Sequence, residues 1–154
     1  MSNENKPALQ CIDHVAVAVP QGQLDAMIEV YRKLGFTVHH EEKVYGTDQV
    51  REVMMRVGES DNFLQLLEPL SPESPVAKQV EKNGGRAALA HVAFKVGDIQ
   101  ATFEQFRADG INIIDAAPRK GGSGATVFFV HPKTHAEGAL GVLYEVVQEA
   151  EKPH

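Results

Sequence analysis

The chain has a single cysteine among 154 residues, Cys11, so no intrachain disulfide is possible, and a lone thiol suits a reducing cytoplasm. Its place beside a strand start predicts a buried, inert thiol. Basic residues are few. Against 21 Asp and Glu stand 15 Lys and Arg, for a net charge of −6 with no basic run. That argues against nucleic acid or an anionic membrane as the main partner. No apolar segment approaches the roughly 18 residues of a membrane span. Residues 1–8 lack the apolar stretch of a secretory signal and the arginines of a transit peptide, so a cytoplasmic location is expected. What remains is an ordinary globular composition, 43% hydrophobic and 23% charged, with length enough for one domain with a real core.

Within that ordinary composition one phrase occurs twice. Ile12-Asp13-His14-Val15-Ala16-Val17 matches Leu89-Ala90-His91-Val92-Ala93-Phe94. Each is followed by an apolar strand holding one polar residue. Gln65 lies 51 residues after His14, and Glu145 lies 54 after His91. A matched pair of this kind predicts one supersecondary unit used twice. Period-two alternation puts Ile12, His14, Ala16 and Ala18 on one face, with small residues suited to a cavity. Asp13, Val15, Val17 and Val19 fall on the other face, suited to a helix-covered core.

Helical spacing follows each strand: Leu24, Met27, Ile28, Tyr31 and Leu34 before Gly35, then Ile99, Phe103 and Phe106 before Gly110. Strands are expected at 36–42, 50–57 and 62–68, and again at 111–115, 126–131 and 141–148. Each half thus reads βαβββ. Ser74 before Pro75 marks a short connector helix between the halves. The expected architecture is α+β: a single domain over 10–148, with module one at about 10–70, a connector at 71–85 and module two at about 86–148. The ends, 1–9 and 149–154, are expected to be frayed. Two such modules can form a curved mixed sheet around a central metal cavity, with helices outside.

A polar group inside an apolar strand costs free energy unless paired. His14, Gln65, His91 and Glu145 offer two imidazole nitrogens and two oxygens, a mixed donor set for one borderline divalent ion such as Zn²⁺, Co²⁺, Mn²⁺, Ni²⁺ or Fe²⁺. Positions left open on the ion would admit substrate or water. The alternative is that each residue is separately satisfied in the core. His39 and His40, beside Glu41 and Glu42, read as a solvated strand edge. His131 and His135 flank a loop. The glycine-rich stretch from Pro118 to Gly124 is either a hairpin turn or a wrap for a phosphate-bearing ligand.

The paired βαβββ units with His, Gln, His and Glu resemble the vicinal oxygen chelate (glyoxalase/bleomycin resistance/dioxygenase) superfamily, and within it the methylmalonyl-CoA epimerase family. The phrases that carry the likeness are Ile12-Asp13-His14, Val50-Arg51-Glu52, Leu64-Gln65-Leu66-Leu67-Glu68-Pro69-Leu70, Ser74-Pro75-Val76-Ala77-Lys78, His91-Val92-Ala93-Phe94, Pro118-Arg119, His131-Pro132-Lys133 and Gly141-Val142-Leu143 with Glu145. The chain departs from the family at Ala90, where a second His is usual, in residues 45–49, and in the longer link 134–140.

The resemblance implies a homodimer that acts on an acyl-CoA, with Co²⁺ the first choice of metal at those four residues and Glu52 the catalytic carboxylate. The implied reaction is interconversion of the 2R and 2S forms of methylmalonyl-CoA, by proton abstraction at C2 through a metal-stabilised enolate. Epimerisation exchanges protons on both faces of a planar intermediate, so a second carboxylate is expected, with Glu145 the candidate. Val50 and Met54 give Glu52 an apolar setting that would raise its pKa. Without the resemblance, Glu52 reads as a surface residue paired with Arg51 or Arg56. A glyoxalase-type lyase and a non-catalytic, ligand-sequestering resistance protein are the competing readings.

Overall fold

The structure, a computed structural model, describes residues 9–133 and 139–150. Of the ends expected to be frayed, 1–9 and 149–154, residues 1–8 and 151–154 lie outside the described residues, as do His135 and most of the link 134–140, while Leu9 begins a strand. The chain divides into two compact units, one of residues 14–90 and one of residues 1–13 with 91–154. The strands β1 (Leu9–Ala18) and β5 (Ala88–Val96) each change unit partway along. Among the described residues no helix is long and apolar enough to cross a membrane.

In the unit of residues 14–90, β1 leads into helix α1 (Leu24–Lys33), then β2 (Phe36–Val44), β3 (Val50–Val57), β4 (Phe63–Pro69) and helix α2 (Pro75–Lys82). The strand order is β2-β3-β4-β1, antiparallel except for the parallel β1–β4 pair. The sheet has two chemically distinct faces. Val17 and Val19 pack with Leu24, Ile28, Val53, Met55 and Leu66 under α1. Ala16 and Ala18 lie on the opposite face with Val50, Leu67, Val76 and Val80. The alanines read as cavity lining therefore serve packing at two of their positions: their small side chains leave room for the valines of α2. Arg32 and Lys33 sit where the negative end of the α1 dipole favours cations. Past that end the chain reverses at Gly35, with φ +107°, a conformation that glycine adopts without Cβ strain.

Ser74 caps α2 as its sequence position predicts. Its Oγ accepts from Val76 N at 3.2 Å and donates to the Asp48 carbonyl at 2.7 Å, fully buried. Ser74→Ala is expected to lower stability by about 1 kcal/mol, with little change in the steepness of a urea unfolding curve.

The other unit repeats the plan with β5, helix α3 (Ile99–Ala108), β6 (Arg119–Lys120), β7 (Thr126–Val130) and β8 (Tyr144–Gln148). Its strand order is β5-β8-β7-β6, with β5–β8 parallel. Asp98 caps α3 by accepting from Ala101 N at 3.0 Å, and Phe103 packs edge-on to the fully buried Phe128.

One strand is misplaced in the sequence reading. Residues 111–115 form only an isolated bridge, Ile113 to Val130. Beyond that bridge the Asp115 carboxylate takes the Phe129 N–H at 2.7 Å, replacing the carbonyl a ladder would use. Arg119 and Lys120 supply the third strand instead, and the glycine-rich stretch turns the hairpin back into β7 through a 3-10 turn at Gly122–Gly124. Cys11 also departs from expectation: it is exposed, because all of the first four residues of β1 project into solvent.

Candidate functional site

Strand register gives the two polar pairs the same geometry. On β1 and β4, Ala16 stands opposite Gln65, so Gln65 faces the residue two places after His14. On β5 and β8, Ala93 stands opposite Glu145, two places after His91. In both units the His and the second donor are therefore diagonal neighbours on one face of a parallel pair. All four are buried: His14 and His91 at 4%, Gln65 at 7% and Glu145 at 8% exposure.

In the unit of residues 14–90, the face opposite α1 carries His14, Gln65 and Glu52. Met54 pairs with Gln65 and Glu52 with Leu67, so Glu52 is diagonal to Gln65. The Gln65 amide donates through Nε2 to Glu52 Oε2 at 3.1 Å. A carboxylate only accepts, so this bond fixes which end of the amide faces Glu52. It leaves Gln65 Oε1 pointing elsewhere, buried and without a hydrogen-bond partner among the described residues. A sealed acceptor of this kind costs about 1–3 kcal/mol, and a cation satisfies it. On that observation the chemistry of Gln65 fits a divalent ion.

Glu52 is 5% exposed. The surface pairing with Arg51 does not form, because alternation sends the two side chains to opposite faces. Arg51 instead reaches Asp25 at 2.7 Å and Glu41 at 2.7 Å. Those carboxylates hold the Arg51 guanidinium protonated beyond its ordinary range, and Arg51 in turn holds the Asp25 carboxyl below its own.

In the unit containing residues 91–154, His91 Nε2 lies 3.7 Å from Glu145 Oε2. That is too long for a hydrogen bond and close to the roughly 3.4 Å between two donors on one zinc-sized ion. Phe129, opposite Glu145 in the ladder, sets its ring edge-on to His91 with centroids 5.3 Å apart. Asp115 holds this arrangement from behind. It accepts from Phe129 N and from Arg119 Nε at 2.8 Å, and the Arg119 guanidinium lies over the Phe129 ring.

The sequence reading missed His40 and Glu42. A bulge separates Val38, which pairs with Met55, from His40, which pairs with Met54. Without it the ladder would set His39 and Glu41 opposite Met54 and Glu52. With it, Glu42 stands opposite Glu52, and His40 lies on the same face two residues away. The bulge puts one ring nitrogen of His40 and one oxygen each of Glu42 and Glu52 within 4.8 Å of one another. The signal in the sequence was the His-x-Glu spacing, but nothing in it marked the extra residue.

A family model described as the Glyoxalase/Bleomycin resistance protein/Dioxygenase superfamily matches residues 13–129. The chain belongs to that superfamily. A relative from Cereibacter sphaeroides, ethylmalonyl-CoA/methylmalonyl-CoA epimerase, is 31% identical over 79% of this chain and 88% of its own length. The crystal structure of methylmalonyl-CoA epimerase from Mycobacterium tuberculosis superposes with a TM-score of 0.84 at 31% identity, covering 98% of this chain and 93% of that one. A Streptomyces coelicolor methylmalonyl-CoA epimerase variant, solved in complex with 2-nitronate-propionyl-CoA, gives a TM-score of 0.81 at 35% identity, covering 94% and 100%. The vicinal oxygen chelate fold expected from the repeated βαβββ units is thereby established for this member of the superfamily.

Proposed function

We propose that this protein is a methylmalonyl-CoA epimerase that interconverts the 2R and 2S forms by proton exchange at C2. His14, Gln65, His91 and Glu145 would hold one divalent metal ion, with cobalt the first candidate. The observation that carries this reading is the Gln65 amide, whose Nε2 is committed to Glu52 while its buried Oε1 waits for a cation. The acyl-CoA analogue bound by the Streptomyces relative supports the substrate class. A homodimer accompanies the proposal through the same family, and the single cysteine suits a reducing compartment such as the cytoplasm.

An ion held by these residues would supply Lewis-acid stabilisation for negative charge on the thioester oxygen. The protein's own residues do the rest. Glu52 takes the C2 proton on one face of the substrate. Its burial excludes bulk water from that transfer, and the Gln65 N–H fixes the position of its Oε2. Glu145 is the candidate for the opposite face. Its placement opposite Ala93 leaves no bulky side chain at the paired position.

Incubation with methylmalonyl-CoA in D₂O tests the reading. Solvent deuterium should enter C2 with no net change in an equilibrated mixture, and protein purified without chelators should carry about one divalent ion per chain. Conversion of methylglyoxal with glutathione, and no C2 exchange, would favour the glyoxalase reading. Metal-free protein that binds a planar drug would favour the sequestering one.

A further inference from the structure

The bulged segment of β2 has no role in the proposal above, yet its side chains lead from solvent to the base. We propose that His40 and Glu42 form a proton conduit between bulk water and Glu52. This inference rests on Glu52 being the C2 base.

The need for a conduit follows from the chemistry. When one group takes a proton from C2 and another delivers one to the opposite face, the protein ends the turnover in the reverse protonation state. It must be reset through water before the same direction can run again. Glu52, at 5% exposure, has almost no direct access to bulk water.

His40 has that access. Its side chain is 39% exposed, while its Nε2 is buried and lies 3.3 Å from Glu42 Oε1. The distance suits an ion pair, but Nε2 is not aligned for a hydrogen bond and has no such partner among the described residues. One edge of the ring therefore meets water and the other faces the carboxylates. His39, one residue earlier, instead stacks on Phe63 with centroids 4.9 Å apart. The bulge thus gives two adjacent histidines different surroundings.

The 4.8 Å spread of the three groups is one that a bridging water or a small side-chain rotation spans. The step conserves protons. The carboxylic acid of Glu52 passes its proton to the lone pair of His40, either directly or through Glu42, which takes one proton and hands one on. The imidazolium so formed releases a different proton to water. Resupply of Glu52 runs the same transfers backwards.

The experiment compares wild type, His40→Asn and Glu42→Gln with methylmalonyl-CoA in D₂O, over a range of imidazole buffer concentrations. Both variants should keep their metal content and KM, lose about tenfold in kcat in dilute buffer, and incorporate less solvent deuterium per epimerisation. Imidazole, a small diffusible proton carrier, should restore kcat in His40→Asn. Wild-type kcat in both variants at low buffer would overturn the conduit, as would a loss that imidazole cannot restore. If wild type exchanges deuterium and the variants match it, the conduit fails alone. If wild type shows no C2 exchange, the epimerase reading fails and takes the conduit with it.

Discussion

Glu52→Gln is expected to slow C2 exchange by about 10²–10⁴-fold while bound metal stays at the wild-type level. The substitution is nearly isosteric. Its amide oxygen can still accept the 3.1 Å bond from Gln65 Nε2, so Gln65 Oε1 keeps its direction. Only the ability to take a proton from carbon is lost. Loss of the C2 proton signal in D₂O, followed by proton NMR, reads the rate, and elemental analysis reads the metal. If the variant exchanged C2 at the wild-type rate, Glu52 would not be the base. If it lost metal as well as activity, the two roles assigned to this cluster would not be separable.

His91→Ala should remove both. It deletes an imidazole donor and leaves Glu145, 8% exposed, without the side chain beside its Oε2. It also removes the partner on which the Phe129 edge packs. Metal affinity should fall by at least about 10²-fold, more than is usual when only a supporting contact to a ligand is lost. Calorimetric titration with Co²⁺ measures this directly. A thermal melt with and without Co²⁺ supplies a control: wild type should gain stability from the ion, and the variant should not. Unchanged Co²⁺ binding by a folded His91→Ala protein would remove His91 from the ligand set.

Much of this arrangement was readable in the chain because the determining information is local or repeated. The alternation in β1 and β5, the helical stripes ending at Gly35 and Gly110, and the Ser74-Pro75 cap each depend on neighbours within a few residues. The His-to-donor spacing could be read because the motif occurs twice, and the shared register in β1–β4 and β5–β8 agrees with it. The failures have a common cause in long-range competition. Residues 111–115 have strand composition, but a side chain from within the segment, Asp115, takes the Phe129 N–H a strand partner would have needed. His40 and Glu42 were assigned to a solvated edge because a one-residue bulge reverses the inward set, and no local signal announces it. The inward direction of Gln65 was legible, but its division of labour between Nε2 and Oε1 required coordinates.

The repeat is broken at one telling place. Glu52 lies two residues before Met54, the partner of Gln65, and the matching position two residues before Phe129, the partner of Glu145, is the buried Val127. Where a carboxylate stands nearby, the donor is an amide that can also give a hydrogen bond. Where valine stands nearby, the donor is itself a carboxylate. Two halves built on one plan thus differ in the protons they can trade: one sets a carboxylate beside an amide, the other sets a carboxylate beside an inert valine.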